Sequence, residues 1–344
     1  MKILTVSVAC YNVAPFLDHL LESLPLEDCG DLLEVLLIND GSTDETLQIA
    51  ERAAFRYPDS VRVISQPNGG HGAVISSGIR YATGRYFRSL DGDDWLDTQS
   101  CRKILTLLQK ESADLVLSDY LEFPEGADSI YRKLKIIQMP GKGFDFESHC
   151  AEYDLFPYHA VIYKTEMLRK CHMELDKHCF YVDTEYISMP VLQVQTAVYY
   201  DFPLYCYRTG RAEQSIGSSG RKNHLEDGER VALRMLHFYA ENRGIAGDER
   251  GRYLRRGVVI ICNFHAMAIA DLPSSGRNRA QLISFLKQCE ELVPGIRQDI
   301  RMNAHRKGVV LRRFLLDDPD RRYWMYRMLF VLREVSVRKI RERG

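Results

Sequence analysis

Short β-rich runs alternate with helical patterns through the first 120 residues. Apolar and β-branched residues cluster in five runs that predict strands, at residues 3–9, 34–38, 61–64, 86–90 and 114–117. Repeated strand–helix–strand units predict an α/β fold with a mostly parallel, Rossmann-like sheet and helices on both faces. The first predicted helix has apolar residues at helical spacing, namely Phe16, Leu17, Leu20, Leu21 and Leu24.

The second predicted helix has a recognisable start. Ser42 and Glu45 stand three residues apart, which is the spacing of a capping box. We therefore expect the helix to begin close to these two residues. Its apolar face would be formed by Leu47, Ala50, Ala54 and Tyr57.

The pattern changes in the second half of the chain. From about residue 125 to 220 the chain contains shorter runs rich in Tyr, His and Phe, whereas helical spacing dominates after residue 222. We predict one domain over residues 1–220, made of halves 1–120 and 121–220. A helical region is expected to follow over residues 221–344.

Charge is distributed unevenly along the chain. The formal net charge is -1, yet residues 301–344 hold 13 Lys and Arg against 5 Asp and Glu. A basic tail of this kind can contact an anionic membrane surface, or it can be the solvated side of packed helices. Both interpretations remain open. The apolar residues of this tail at helical spacing are Trp324, Met328, Val331, Leu332 and Val335.

Cysteine usage and the N-terminus indicate a reducing compartment. The nine cysteines include no C-x-x-C pair and lie mostly in apolar runs, as reduced core thiols do. Met1 leads directly into a strand-like run with no secretion signal. The longest apolar stretch, residues 258–272, is interrupted by polar residues and is shorter than the roughly 20 residues of a spanning helix. We expect a cytoplasmic protein, with peripheral contact to the inner face of the membrane as a further option.

Three predicted strands are followed by polar residues. These segments are residues 10–12, 39–44 and 91–95. Asp-Gly pairs are ordinary turn chemistry when they occur singly. Because ligands bind at the carboxyl ends of the strands in parallel sheets, the three segments together predict a binding site at one sheet edge.

The third segment holds three carboxylates within four residues. Asp91, Asp93 and Asp94 would repel one another unless a cation lay between them. Oxygen ligands of this kind suit Mg²⁺ or Mn²⁺ beside a diphosphate. The alternative is a solvated acidic turn.

A glycine-rich tract follows the third predicted strand. Residues 68–73 read Asn-Gly-Gly-His-Gly-Ala and precede a predicted helix, so their backbone N–H groups could bind an anion. The tract is not a G-x-G-x-x-G fingerprint after the first strand. This argues against a dinucleotide-binding oxidoreductase.

Four motifs occur along the first 95 residues in a characteristic order and spacing. They are VSVACYN at residues 6–12, INDGSTD at 38–44, NGG at 68–70 and LDGDDW at 90–95. With these motifs the chain resembles the family 2 glycosyltransferases of the GT-A fold, strongly over the first 120 residues and weakly to residue 220. The resemblance implies inverting, metal-dependent transfer of one sugar from a nucleotide-diphosphate sugar, with UDP as the expected nucleotide.

The resemblance implies that the nucleotide lies at the first strand ends. The backbone of Ala9 and the ring of Tyr11 would flank the nucleobase, and Asp40 would accept a hydrogen bond from it. Asn68 and Gly70 would belong to the same nucleotide-sugar site.

The resemblance also assigns roles to the acidic turn. Asp91 and Gly92 would lie near the ribose and sugar. Asp93 would ligate Mn²⁺ or Mg²⁺ at the diphosphate, with Asp91 as a second ligand. Asp94 and Trp95 would face the sugar or the acceptor, although Trp95 could equally fill the core.

An inverting transfer needs a carboxylate that takes the acceptor hydroxyl's proton. The family supplies it from acids that open a helix in the second half, and Asp183 aligns with that position, with Glu185 as second choice. Asp154 and Glu166 remain further alternatives. Asp183 could instead be a helix cap, with Glu185 favoured by the helix dipole.

The chain departs from the family pattern after the glycine tract. Ile75 and Ser76 stand where many members have Arg-Asn, so a diphosphate contact would have to come from Arg80 or His71. A later polar loop resembles one that surrounds the diphosphate in the family, although it could be an ordinary loop. Its residues are Arg208, Arg211, Gln214 and Ser215.

These observations predict a glycosyltransferase that moves a single sugar to a glycan or lipid-linked acceptor in cell-surface polysaccharide synthesis. The Q-x-x-R-W signature of processive synthases is absent from the sequence. The alternatives are a non-catalytic nucleotide-sugar-binding module and a sugar-nucleotide nucleotidyltransferase. No nucleic-acid partner is expected, and the helical region is predicted to serve acceptor binding, homo-oligomerisation or membrane contact.

Overall fold

Ten strands form one mixed sheet in the computed structural model of the protein. The strands are β1 Leu4–Cys10, β2 Leu33–Asn39, β3 Val61–Ser65, β4 Tyr86–Asp91, β5 Trp95–Leu96, β6 Leu115–Pro124, β7 Arg132–Leu134, β8 Phe144–Asp145, β9 Val161–Lys164 and β10 Thr196–Thr209. The structure describes residues 1–124, 132–134, 144–146, 150, 155–210, 223–242, 244, 249–272, 275–306 and 323–324. All five strands predicted from the sequence are confirmed.

Helices flank the sheet and build the C-terminal part of the described chain. The helices are α1 Ala14–Ser23, α2 Leu26–Cys29, α3 Thr46–Arg56, α4 His71–Tyr81, α5 Thr98–Leu108, α6 Thr165–Lys170, α7 Asp183–Ser188, α8 Leu225–Glu241, α9 Glu249–Ala270, α10 Gly276–Leu292 and α11 Ile296–Arg306. The predicted α/β class and the predicted helical C-terminal region are confirmed. Within the described residues, no helix is long and apolar enough to cross a membrane.

The strand order locates the place where ligands bind in such sheets. The order is β3-β2-β1-β4-β9-β6-β10-β5, with β7 beside β6 and β8 beside β10. The first four strands are parallel, and the chain leaves β1 toward β2 and β3 before it returns to β4 on the other side of β1. The crevice between the carboxyl ends of β1 and β4 is therefore the topological switch point of the sheet.

The core forms because both faces of the parallel strands are covered. Every residue of β2 is buried, as expected for a central strand with helices on both sides. This buried strand nevertheless contains an acidic residue, Glu34, which is only 2% exposed. It accepts hydrogen bonds from Thr5 Oγ1 at 2.6 Å and from the Thr83 N–H at 2.7 Å, and it pairs with Arg62 at 2.9 Å. These partners offset the cost of burying its charge.

The predicted capping box is wrong. Helix α3 begins at Thr46, and it is Asp44 that accepts the Thr46 N–H at 3.0 Å. The other carboxylate oxygen of Asp44 accepts the Ala14 N–H of α1 at 3.1 Å. Ser42 bonds the loop after β1 instead, since its hydroxyl accepts the Asn12 N–H at 3.2 Å. The reason is that tertiary contact with that loop outweighs the local capping pattern.

The chain divides into two compact units. The first comprises residues 1–214 and 248–253, and the second comprises residues 215–247 and 254–344. The division into independent domains at residue 220 stays a prediction. The basic, apolar pattern from Trp324 onward lies outside the described residues apart from Tyr323 and Trp324. Its proposed membrane contact therefore also stays a prediction.

Candidate active site

The three polar segments meet at one edge of the sheet, as the sequence predicts. Ala9 of β1 is in register with Asp91 of β4, and Cys10 is in register with Asn39 of β2. The Asp40 N–H donates to the Cys10 carbonyl at 2.9 Å, which holds the ends of β1 and β2 together.

The loop after β1 leaves an aromatic ring at the surface. Asn12 has a φ of 54° and accepts the Thr43 N–H at 2.9 Å, so the loops after β1 and β2 are fastened together. Tyr11 is 51% exposed beside this contact. Such a ring is available for stacking, and its role against a nucleobase stays a prediction, as does that of the Ala9 backbone.

The carboxylate of Asp40 is already engaged. It is 2% exposed and accepts the N–H groups of Gly69 at 2.9 Å and Gly70 at 2.7 Å, together with Gln66 Nε2 at 2.7 Å. The Asn68 side chain donates to the Asp40 carbonyl at 2.9 Å. These two glycine N–H groups therefore bind the chain's own Asp40, which corrects the expectation that they are open to an external anion. The physical reason is that Asp40 directly follows β2, which places its carboxylate within hydrogen-bond distance of both N–H groups.

The glycines also allow another segment to pack on this loop. Gly70 has a φ of +78°, and a Cβ on Gly72 would lie 2.3 Å from the Asp176 carbonyl oxygen. The His178 N–H donates to the Gly69 carbonyl at 2.7 Å. The backbone ahead of α7 is thereby held against the glycine loop, which comprises residues 68–70, and against the start of α4. This packing brings Asp183 to the same sheet edge.

The acidic turn packs directly on the end of β1. A Cβ on Gly92 would lie 2.4 Å from the Ala9 carbonyl oxygen and 2.9 Å from a methyl group of Val13. Only glycine leaves room for this approach. The close packing of Gly92 explains the glycine inside the D-x-D pattern, whereas its contact with a donor stays a prediction.

Asp94 faces the protein interior. It is 2% exposed and accepts the Tyr205 hydroxyl at 2.6 Å and the Arg208 N–H at 2.7 Å. Burial, followed by the charges of Asp91 and Asp93, raises the pKa of Asp94 well above its usual value. The expectation that Asp94 faces an acceptor is therefore corrected, because β10 covers its carboxylate.

Trp95 is partly buried among other side chains. Its ring lies 5.0 Å from His19, 4.7 Å from Phe123 and 5.2 Å from the Arg208 guanidinium. It borders an open groove of about 260 Å³. Packing is thus one of its roles, and contact with an acceptor stays a prediction. The groove is lined by His19, Glu22, Ser23, Trp95, Leu96, Asp97 and Thr98.

Asp91 is, like Asp93, a partly exposed acid of the turn. Its carboxylate lies 3.8 Å from His71 Nδ1 and accepts a long hydrogen bond from the Tyr158 hydroxyl at 3.5 Å. Burial, followed by the charges of Asp93 and Asp183, raises the pKa of Asp91 to about 8. A carboxylate with this perturbation is typical of a functional site.

His71 lies among several of these acids. Burial lowers the pKa of His71, while Asp183, Asp40 and Asp93 oppose that shift in this order. Burial raises the pKa of Asp183, and His71 opposes that shift. From the sequence, His71 is only a substitute contact for the diphosphate. In the structure its Nδ1 lies 3.8 Å from the Asp91 carboxylate, and it interacts electrostatically with Asp183.

The other candidate bases are less favourably placed. Glu185 is fully buried in α7, out of reach of an acceptor. Glu166 is exposed and pairs with Lys170 of the same helix at 2.9 Å. Asp154 lies outside the described residues, as do Arg211, Gln214 and Ser215 of the predicted polar loop. Asp183, in contrast, interacts electrostatically with Asp91 of the acidic turn.

A divalent cation fits the chemistry of this cluster. Asp91, Asp94 and His159 each offer a ligand atom within 4.8 Å of the others, although both Asp94 oxygens already accept hydrogen bonds from Tyr205 and Arg208. Burial, followed by the charge of Arg88, lowers the pKa of His159 to about 3, so its imidazole is neutral at physiological pH and can bind a metal. The excess of carboxylates over cations also favours a cation here, whereas Asp93 as its principal ligand stays a prediction.

Several residues of this site have no signal in the sequence. Tyr158, His159 and Tyr205 belong to the aromatic-rich half of the chain, where no motif distinguishes them from core residues. Arg208, which the polar-loop resemblance does suggest, donates from Nε to the Asp93 carbonyl at 3.1 Å. A pattern of aromatic residues could indicate this region, but not its partners.

Known proteins resemble parts of this chain. Bacillus subtilis EpsJ, described as an uncharacterized glycosyltransferase, is 33% identical over 116 residues, which are 34% of this chain and 33% of EpsJ. Chondroitin synthase of Pasteurella multocida is 31% identical over 111 residues, which are 32% of this chain and 11% of that protein. The chain thus matches a third or less of each relative's length.

Solved structures share the fold over most of the chain. The structure of S. aureus TarS residues 1–349 with UDP-GlcNAc has a TM-score of 0.57 at 17% identity and covers 90% of this chain and 92% of that one. The model of the family "Glycosyl transferase family 2" matches residues 5–170. This match includes the acidic turn, the glycine loop and the ends of β1 and β2. Over residues 5–170, just under half of its length, the chain therefore matches the family 2 glycosyltransferases, and its fold is the GT-A fold.

Proposed function

We propose that this protein transfers one sugar from a UDP-sugar to a hydroxyl group of a glycan acceptor, with inversion at the anomeric carbon. The observation that carries the proposal is the electrostatic cluster of Asp91, Asp93, His71 and Asp183 at the switch point of the sheet. The acidic turn, which would bind a cation, is thereby close to a separate carboxylate, Asp183, which would accept a proton.

The acidic turn would hold the diphosphate end of the donor. Asp93 and Asp91 are the proposed ligands, with His159 as a further one. A Mn²⁺ or Mg²⁺ ion bound there would supply positive charge to the leaving diphosphate. The Arg208 guanidinium at the Asp93 carbonyl adds a fixed positive charge to the same region.

The donor's nucleoside would occupy the ends of β1 and β2. Tyr11 presents an exposed ring there, and Asp40 fixes the glycine loop beside it. UDP as the nucleotide is proposed from the family resemblance. TarS, which shares the fold, has been solved with UDP-GlcNAc, and at 17% identity this likeness concerns the fold alone.

Asp183 would act as the general base. The acceptor oxygen forms a bond to the anomeric carbon as the bond from that carbon to the diphosphate oxygen breaks. The bonding electron pair leaves with the nucleoside diphosphate, and the hydroxyl proton passes to the Asp183 carboxylate. Burial raises the pKa of Asp183, which makes it a stronger base than an exposed aspartate.

The acceptor is proposed to be a growing cell-surface polysaccharide. Chondroitin synthase, to which residues of this chain are similar, is named for a polysaccharide product. A lipid-linked acceptor and a peripheral position at the inner face of the membrane extend this proposal, and neither rests on a contact of the described residues.

The donor site is tested by calorimetric titration of UDP into the protein with Mn²⁺ and with EDTA. We expect binding that requires Mn²⁺ and that is lost in Asp93→Ala. Asp31→Ala is the matched control, because Asp31 is exposed at the opposite end of β2. Absence of UDP binding under every condition would contradict the proposed donor.

Catalysis is tested with Asp183→Asn. We expect this variant to bind UDP as the unaltered protein does and to lose transfer, or hydrolysis of a UDP-sugar, by a factor of about 10² to 10⁴. Full activity of Asp183→Asn would overturn its assignment as the base. UDP binding without turnover in the unaltered protein, across a panel of UDP-sugars, would indicate a non-catalytic module.

A further inference from the structure

One hydroxyl group connects the two ends of the acidic turn. The Tyr205 hydroxyl accepts the Asp91 N–H at 3.3 Å and donates to a carboxylate oxygen of Asp94 at 2.6 Å. The turn is closed from within by the Asp94 N–H, which donates to the Asp91 carbonyl at 3.1 Å. Tyr205 therefore bonds both the first and the last acid of the turn.

Strand β10 supplies further contacts to the same turn. Arg208, three residues after Tyr205, donates its N–H to the other Asp94 oxygen at 2.7 Å and its Nε to the Asp93 carbonyl at 3.1 Å. Leu96 and Trp95 pair with residues 205 and 206 of β10. The turn between β4 and β5 is thus held by a strand more than 100 residues away in sequence.

The ring of Tyr205 is itself fixed. It is fully buried, and the guanidinium of Arg88 lies 5.0 Å from its centre while the imidazole of His159 lies 4.8 Å from it at a steep angle. Arg88 is also fully buried, and within the described residues no carboxylate forms an ion pair with it. The cation and the aromatic face attract each other, which limits rotation of the ring.

These contacts determine which carboxylates face the crevice. Three aspartates within four residues repel one another, and an unrestrained turn would spread them apart. Two hydrogen bonds hold Asp94 inward, which leaves Asp91 and Asp93 as the partly exposed acids of the turn, with Asp91 3.8 Å from His71 Nδ1.

We propose that Tyr205 is a positioning residue that sets the acidic turn for a divalent cation and the donor diphosphate. This inference rests on the proposed function, since it concerns the same site. Tyr205 would act through Asp91 and Asp94 without touching the donor. Its hydroxyl group, rather than its ring, is the part required.

The test compares Tyr205→Phe with Tyr199→Phe. Tyr199 lies on the same strand, is 1% exposed and donates to buried Asp119 at 2.6 Å, so it is a matched hydroxyl bound to a matched acid away from the turn. Mn²⁺ affinity is measured by electron paramagnetic resonance, UDP affinity by calorimetry with Mn²⁺, and stability by thermal unfolding.

We expect both variants to lose thermal stability, because each loses one buried hydrogen bond to a carboxylate, and Tyr205→Phe to lose more because it also removes the acceptor of the Asp91 N–H. Only Tyr205→Phe should bind Mn²⁺ more weakly, by about tenfold or more, with UDP binding reduced in parallel. Equal Mn²⁺ affinity in Tyr205→Phe and Tyr199→Phe would overturn the inference.

The proposed function can fail separately. If the unaltered protein binds Mn²⁺ but not UDP, the donor assignment fails and the Mn²⁺ affinities of the two variants still decide the role of Tyr205. If the unaltered protein binds UDP with Mn²⁺ and the two variants do not differ, the function stands and the inference fails. Absence of Mn²⁺ binding in the unaltered protein overturns both.

Discussion

The imidazole Nδ1 of His71 lies 3.8 Å from a carboxylate oxygen of Asp91. His71 is the first residue of α4, directly after the glycine loop, whereas Asp91 ends β4. The same imidazole interacts electrostatically with Asp183. His71 therefore connects the proposed metal-binding turn to the proposed base, and its substitution should affect proton transfer.

His71→Asn should shift the acid limb of the pH–rate profile to higher pH. Burial raises the pKa of Asp183 and His71 lowers it, so removing the imidazole leaves Asp183 protonated over a wider pH range. Because the general base works only when it is deprotonated, the variant should lose rate at low pH. The profile is measured on UDP-sugar turnover, with exposed His19→Asn as the control. An unshifted acid limb would show that His71 does not tune the base.

Mn²⁺ binding should strengthen as pH rises from about 6 to about 8. Burial and the nearby charges of Asp93 and Asp183 raise the pKa of Asp91 to about 8, and protons compete with the cation for this carboxylate. Asp91→Asn should bind Mn²⁺ more weakly and with a flatter pH dependence. Titrations of Mn²⁺ at several pH values check this, and equal pH dependence in both proteins would contradict it.

Asp40→Asn should destabilise the protein by about 1–3 kcal/mol. One buried oxygen that accepts a backbone N–H is replaced by an amide N–H₂, which faces the N–H of Gly69 or Gly70. Urea unfolding measures the change in the free energy of unfolding. The exposed variant Asp31→Asn should leave it within about 0.5 kcal/mol of the unaltered value. Similar stabilities of the two variants would argue against Asp40 as the anchor of the glycine loop.

Gly72→Ala should be destabilising by about 1–3 kcal/mol, because the new methyl group would meet the Asp176 carbonyl oxygen. Gly276→Ala is the control. Gly276 opens α10, and a Cβ added there would have no neighbour within 4 Å, so alanine should leave stability unchanged or raise it by up to about 1 kcal/mol. Denaturant unfolding distinguishes the two. A tolerated Gly72→Ala, with unchanged UDP affinity, would mean that the segment ahead of Asp183 does not rest on the glycine loop.

His265→Phe should reduce the loss of stability at mildly acidic pH. Burial lowers the pKa of His265 to about 4, so between pH 6.5 and 4 the unfolded chain binds a proton that the folded chain does not. Stability is therefore lost as pH falls through this window, by on the order of 3 kcal/mol for this histidine. His265 is fully buried against Phe285 at 4.6 Å, and a phenyl ring has a similar size. Thermal unfolding from pH 4 to pH 7 tests this, and parallel curves for the two proteins would contradict it.

The local pattern of the chain was sufficient to predict the strands and the parallel sheet. Apolar periodicity reports burial on one face of an element, and it needs only neighbouring residues. The acidic turn could also be predicted, because three clustered carboxylates are unusual without a cation. The family resemblance indicated Asp183, which the structure places at the start of α7, and its role as the base stays a prediction. The GT-A fold followed from four motifs in order, and the comparisons bear it out.

The partners of these residues could not be predicted in this way. Asp94 is paired with Tyr205, which is 111 positions away, and Asp40 with the glycine loop, which is about 30 positions away. Whether a carboxylate faces a ligand or the interior depends on which strand lies over it, and strand order is not encoded in local spacing. By itself, the sequence determined the elements, the sheet edge and the types of chemistry present. Only the tertiary structure decided that Asp40 and Asp94 hold the framework while Asp91, His71 and Asp183 share the crevice, because hydrogen bonds between distant residues form only once the sheet has assembled.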